Sequence, residues 1–279
     1  MKLIAGPSSP LLTKRIAEKT GFKIAETMYR RFPDGELYVR VEKNEDDRYA
    51  VVNSLRSNED LVYMLLIFDA LEGSEIFAII PYMGYARQDR AFLNGEAVSI
   101  RAIARLIESY AEKIFTVNIH SMKAREHFRK LIELDAMDII GQHYKGKDVV
   151  MLSPDRGSLK RVRRAAEIAG CEFDYLEKRR IDAENVEILP KNLDVHGKEI
   201  VVVDDIISTG GTVVTAARQL SDKAKKIDAT CIHGVFAGHA LNRLYSSGIS
   251  LVKATDTIET QVSVISVSGM ISEVLIHEV

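Results

Sequence analysis

The sequence predicts an α/β fold: two similar units, each a mainly parallel sheet flanked by helices. Short apolar runs of strand length alternate with amphipathic helical stretches along the chain, and no low-complexity linker breaks the alternation. A length of 279 residues accommodates one large domain or two modest ones, and two half-size units fit the repeated pattern best.

In chain order, "KLIAG" reads as a strand and "SSPLLTKRIAEKTG" as a helix, with serine capping, Pro10 in the first turn and Gly21 as its stop. "YAVVNSL" is a strand. The helix "NEDLVYMLLIFDALEG" follows, its start suited to Asn58, Glu59 and Asp60 because acids complement the positive end of a helix dipole. "EIFAIIPYM", "KIFTVNIH", "VVMLSPD", "EIVVVDD" and "DATCIHGVFAG" are further strands. Between them, "AVSIRAIARLIESY", "SLKRVRRAAEIAG" and "GTVVTAARQLSDKA" carry the helical period. The closing "VSVISVSGMISEVLIHEV" reads as a strand and a helix that either half could hold. Polar and glycine residues in "DIIGQHYKGKDVV" place the boundary there, giving units of 1–141 and 142–279 with the last residues free to pack on the first unit.

Composition narrows the function. With 46% hydrophobic and 28% charged residues the chain reads as an ordinary globular protein. A net charge of −2 and a pI of about 6.4 give no global pull toward nucleic acid or an anionic membrane, so any phosphate must be held by local geometry. The two cysteines, Cys171 and Cys231, have no metal-ligand spacing and suit a reducing compartment. "MKLIAGPSSP" is too short an apolar run for a signal peptide, and "LVYMLLIF" falls far short of a membrane span. The expectation is a cytoplasmic protein.

The stretch "EIVVVDDIISTGGTVV" concentrates chemistry. Asp204 and Asp205 fall at the end of the apolar "IVVV", where parallel sheets bind ligands. Two carboxylates there can accept hydrogen bonds from vicinal sugar hydroxyls or help hold a hard cation. Ser208, Thr209, Gly210, Gly211 and Thr212 follow in a tight turn into a helix, where hydroxyls and backbone N–H groups cradle a phosphate monoester. Sugar hydroxyls on one side and a phosphate on the other point to ribose 5-phosphate or a relative. A plain helix cap needs one such side chain, not two acids and a T-G-G-T turn.

Here the sequence resembles the phosphoribosyltransferase-type fold. The segments "RFPDGELYVRV", "YMGYARQDRAF", "NIHS", "SPDRGS" and "EKRRI", in that order, resemble the ribose-phosphate diphosphokinase family more narrowly. Taken singly, "PDGE" reads first as a turn joining two strands, "EKRRI" as a solvated charge run and a strand-end histidine as structural, while "RQDR" reads equally as a solvated cluster or a functional one. Taken together, the resemblance implies two phosphoribosyltransferase-like domains and an enzyme that moves the diphosphoryl group of ATP onto D-ribose 5-phosphate. It implies that Phe32, Asp34 and Glu36 contact adenine, and that Gly35, Arg87, Gln88, Asp89, Arg90 and His120 complete the ATP site. Magnesium would be held by His120 and Asp155. Lys178 and Arg180 would be the catalytic pair, alternate positions of an extended segment that point the same way. Arg180 would also join Asp204, Asp205 and residues 208 to 212 in holding ribose 5-phosphate. A homodimer or larger homo-oligomer is implied as well.

Two departures stand out. Asn118 replaces a usual acid, and Ser158 replaces a usual glycine, where it reads equally as a helix cap. A base phosphoribosyltransferase would share the 204–212 loop without needing the other segments. A non-catalytic regulatory subunit would keep the fold and lose the cations that this chain retains.

Overall fold

The computed structural model describes residues 1–43, 48–180 and 186–278, with the side chains of 178–180 and 186–189 outside that description. The chain forms two units: Met1–Asp135 with Thr257–Glu259 and Ser266–Val279, and Ala136–Asp256 with Thr260–Ile265.

The first unit carries β1 (Lys2–Ala5), α1 (Pro10–Thr20), β2 (Lys23–Ile24), β3 (Thr27–Arg31), β4 (Leu37–Val41), β5 (Arg48–Val52) and α2 (Asn58–Ala70). It continues with β6 (Glu75–Ile80), α3 (Ser99–Glu108), β7 (Lys113–Val117), α4 (Met122–Arg125) and β8 (Leu131–Leu134). Six strands form one parallel sheet in the order β2-β1-β5-β6-β7-β8, and β3 with β4 makes a separate antiparallel hairpin. Its core joins Ile4, Val51, Ala78 and Ile80 of the strands to Met64, Ile67, Phe68, Ile103 and Ile107 of the helices. Such apolar runs form strands because both faces of the sheet are covered.

The second unit carries α5 (Met137–Tyr144), β9 (Val150–Ser153), α6 (Leu159–Ala169), β10 (Glu172–Arg180), β11 (Val186–Pro190), β12 (Glu199–Ile207) and α7 (Gly211–Leu220). Then come β13 (Lys226–Gly234), α8 (Ala240–Ser246), β14 (Leu251–Thr255) and β15 (Ser263–Ile265). The sheet order is β11-β10-β9-β12-β13-β14-β15, parallel except for the antiparallel edge strand β11. The last helix, α9 (Ser268–Glu278), returns to the first unit and packs on α1, with Leu12, Ile16, Ile271 and Leu275 buried.

Several local expectations change. A boundary at 141 would cut α5, whereas that helix belongs wholly to the second unit because it packs along α6. Pro10 opens α1 and Gly21, at φ 74°, closes it. No serine side chain caps that helix: the Ser9 hydroxyl accepts instead from the Ser54 N–H, and the Leu12 N–H is met by the Glu259 carboxylate at 2.7 Å. In α2 the start is a capping box, Ser57 with Asp60, each side chain accepting from the other's backbone N–H. The strand read through His120 stops at Val117, since Asn118 takes φ 37°.

Candidate active site

At β9 and β12 the second sheet splits its connections. β9 leads through α6 to β10 on one side, and β12 leads through α7 to β13 on the other. Diverging loops at such a switch point leave a crevice beyond the carboxyl ends of the strands. Pairing between β9 and β12 ends at Leu152↔Val202, while β12 continues along β13 to Ile207↔Gly234. Asp204 and Asp205 therefore lie inside a strand and not past its end, beyond the last β9 register pair.

Asp205 is 6% exposed, and the Arg161 Nη2 stands 3.0 Å from its Oδ2. Ser158 Oγ donates to Asp204 Oδ1 at 3.4 Å, and Arg161 Nη2 donates to that same hydroxyl at 3.4 Å. Although Ser158 sits at the start of α6, its side chain makes no cap. Burial first, then the charge of Asp205, pushes the Asp204 carboxyl up to about 8, with Asp155 adding to the repulsion. Asp155 is exposed, and its Oδ1 accepts from the Ser158 N–H at 3.0 Å.

The turn after β12 reaches α7 through Gly210, whose φ of 74° is open to glycine at no steric cost. The first amides of α7 have no partner within the helix and can receive an anion. A Cβ placed on Gly211 would meet nothing within 4 Å, so the mouth of the turn is open.

In the first unit the hairpin turn holds Phe32, Asp34, Gly35 and Glu36. Gly35 has φ 100°, the Asp34 carboxylate accepts from the Glu36 N–H at 3.3 Å, and Phe32, 50% exposed, meets Tyr38 edge to face at 6.1 Å. Arg31 pairs with Glu59 at 2.6 Å, and Tyr85 bonds the neighbouring Asn58, so the hairpin and the 85–90 stretch share the start of α2. Arg87 and Arg90 are exposed, and Gln88 Nε2 donates to the Arg90 carbonyl at 3.1 Å. Asp89 is engaged within the protein: Ser121 donates to its carboxylate at 2.6 Å and lowers its pKa, and His127 hydrogen-bonds its carbonyl at 2.9 Å. His120 is exposed, one residue before Ser121. Asn118 explains its own departure: its amide donates to Asp135 at 2.8 Å, a place where an acid would meet like charge.

A profile described as the N-terminal domain of ribose phosphate pyrophosphokinase matches residues 1–110, and one described as the phosphoribosyl transferase domain matches 121–264. "Ribose-phosphate pyrophosphokinase 2" of Archaeoglobus fulgidus is 54% identical over 274 residues, covering 98% of this chain and 99% of that protein. The chain belongs to the ribose-phosphate pyrophosphokinase family. "Ribose-phosphate pyrophosphokinase" of Methanosarcina acetivorans is 40% identical over 282 residues, covering 99% of both chains. The crystal structure of phosphoribosylpyrophosphate synthetase from Mycobacterium smegmatis superposes with a TM-score of 0.83 at 27% identity, covering 100% of this chain and 99% of that one.

Within this family frame, the backbone of Lys178 and Arg180 runs extended in β10, opposite Ile188 and Val186 of β11, and their side chains lie outside the described residues. Among the described residues no group of three or more His, Cys, Asp or Glu side chains is gathered as a metal site. The donors do fit magnesium arriving with a nucleotide, an ion that takes one or two carboxylates plus phosphate oxygens. Asp155 is an exposed hard-oxygen donor, and its charge adds, after burial and Asp205, to what raises Asp204. A cavity of about 490 Å³ opens at the other end of the sheet, at the starts of β9, β10 and β12, where Lys198 pairs with Glu172 and Lys225 with Glu199. It faces away from the strand ends where this chemistry gathers. Sequence reasoning missed Arg161; a cation three residues after Ser158, in the first turn of a helix leaving the switch point, was the available signal.

Proposed function

We propose that this family member transfers the diphosphoryl group of ATP to the anomeric hydroxyl of D-ribose 5-phosphate, giving 5-phosphoribosyl 1-diphosphate and AMP in nucleotide precursor biosynthesis. The observation that carries the proposal is the β9/β12 crevice, where an acid pair and an open phosphate-type turn lie on successive parts of one strand and loop. Asp204 and Asp205 accept hydrogen bonds from the ribose hydroxyls, and residues 208 to 212 hold the 5-phosphate. Lys178 and Arg180 neutralise charge on the transferring group and the departing α-phosphate while the anomeric oxygen attacks the β-phosphorus in line. Phe32 stacks on adenine, Asp34 and Glu36 read its edge, and Arg87, Gln88 and Arg90 grip the phosphates; Asp89 shapes that segment through Ser121. Magnesium, when bound, would spread the negative charge of the triphosphate, and His120 and Asp155 are each proposed as protein donors to the magnesium that travels with ATP.

We further propose a cytoplasmic homodimer or larger assembly. Free Cys171 and Cys231 suit a reducing compartment, and no described helix is long and apolar enough to cross a membrane. Incubation with ATP, ribose 5-phosphate and magnesium, followed by chromatography of the nucleotides, is expected to release AMP only when the sugar phosphate is present. Absence of AMP, with diphosphate released instead from 5-phosphoribosyl 1-diphosphate and a purine base, would identify a base transferase.

A further inference from the structure

We infer that Arg243 is a positioning residue for ribose 5-phosphate, acting through the peptide carbonyls that it anchors beside the phosphate turn. The inference rests on reading residues 208 to 212 as the 5-phosphate cradle.

Arg243 projects from α8, the helix after β13, and its guanidinium donates to carbonyls of two separate loops. Nη2 reaches the Thr209 carbonyl at 2.8 Å and the Ala237 carbonyl at 3.4 Å, and Nη1 bonds the Gly238 carbonyl. Thr209 lies in the cradle, whereas Ala237 and Gly238 lie in the turn after β13. That second turn is unusually wound, with Phe236 at φ 45°, Gly238 at 58° and His239 at 59°. Non-glycine residues hold left-handed conformations only where neighbouring contacts fix them. The two loops are also tied directly, by the Phe236 N–H donating to the Ile207 carbonyl at 3.1 Å. A Cβ built on Gly210 would sit 3.4 Å from Leu244, so α8 braces the cradle from beneath with the residue next to Arg243.

The consequence for a phosphate follows from peptide geometry. Carbonyl lone pairs repel phosphate oxygens, while N–H groups bind them. In a trans peptide the C=O of one residue and the N–H of the next point in opposite directions, and no described peptide is cis. Holding the Thr209 carbonyl on Arg243 therefore turns the Gly210 N–H to the opposite side of the turn. Without the anchor, the peptide can rotate and present a carbonyl to the ligand. A planar guanidinium can serve three acceptors in two loops at once, which a lysine ammonium on a flexible stem cannot reproduce in the same geometry.

Steady-state kinetics of the full chain test this, with Arg243→Met and Arg243→Lys beside Gly211→Val as the probe of the cradle itself. Arg243→Met should raise KM for ribose 5-phosphate about tenfold, the scale of one charge-assisted hydrogen bond, with KM for ATP unchanged. Arg243→Lys should stay well above wild type despite keeping the charge. If Lys restores KM fully, charge and not carbonyl anchoring is responsible, and the inference is overturned. Equal rises for both substrates would also overturn it. Should Arg243→Met fail to fold, the Lys variant decides alone: a selective rise supports the anchor and a wild-type KM refutes it. If Gly211→Val weakens ribose 5-phosphate while both Arg243 variants leave it untouched, the cradle stands and the anchor falls. An unaffected Gly211→Val would refute the cradle reading instead.

Discussion

Both units have a switch point, and they use it in opposite ways. In the first sheet the chain diverges between β1, which leads to β2, and β5, which leads to β6, so a crevice should open beyond those strands. The protein fills it with its own groups. Fully buried Asn53 accepts from the Ser8 N–H at 3.2 Å and the Ser8 hydroxyl at 2.8 Å, and its amide donates to the Asp60 carbonyl at 2.9 Å. A Cβ on Gly6 would fall 2.2 Å from the Asn53 Oδ1, so the two loops close onto each other. The Ser54 hydroxyl donates to the Thr257 carbonyl, and Glu259 takes the α1 amide that an anion would otherwise meet. In the second sheet the same topological position holds crowded carboxylates and an open turn. One topology thus yields a structural plug where the polar groups satisfy one another, and in the second unit an open turn beside crowded carboxylates, the place proposed above for the substrate.

Substitutions can break this contrast. The largest effect belongs to the second unit: Lys178→Ala should cut kcat by roughly 10²–10⁴ with little change in ribose 5-phosphate affinity. Near-normal turnover would remove Lys178 from the mechanism. In the first unit, Asn53→Ala strands buried partners and should cost about 1–3 kcal/mol of stability, seen in denaturant melts, while kcat and both KM values hold below the transition. A selective kinetic defect would mean that the filled crevice also serves catalysis. Gly211→Val has room, since a Cβ there would meet nothing within 4 Å, so the fold should survive while ribose 5-phosphate binding weakens on the order of tenfold and ATP binding does not. Parallel loss of both ligands would point to misfolding.

The last effect is a slope, the pH dependence of stability without ligand. Asp204 keeps its proton in the folded chain up to about 8, whereas the unfolded acid loses it near the ordinary value of 3.8. Between those values the folded state binds more protons, so this group favours folding at low pH and that contribution falls as pH rises through the window. Asp204→Asn, neutral throughout, should flatten the decline in Tm between pH 5 and 8 while impairing catalysis. A wild-type slope in the variant would show that Asp204 is not the group being desolvated.

Much of this was legible along the chain because its causes are local. Apolar period separates strand from helix, Pro10 and Gly21 bound α1 by their own backbone preferences, and Asp204 through Thr212 set acids, hydroxyls and a glycine turn suited to a sugar phosphate within nine neighbouring residues. The hairpin at Phe32–Glu36 follows from its turn residues in the same way. What tertiary structure alone decided are contacts between residues distant in sequence. Glu259 meets Leu12 across 247 positions, Arg243 meets Thr209 across 34, and Ser158 meets Asp204 across 46. No periodicity records such pairs, since each depends on which strand lies beside which in the sheet. The sequence by itself determined that the chain makes two mainly parallel sheets, and it pointed to phosphoribosyl chemistry in one loop. Only the packed chain decided which switch point is filled, because filling depends on partners that folding brings from elsewhere.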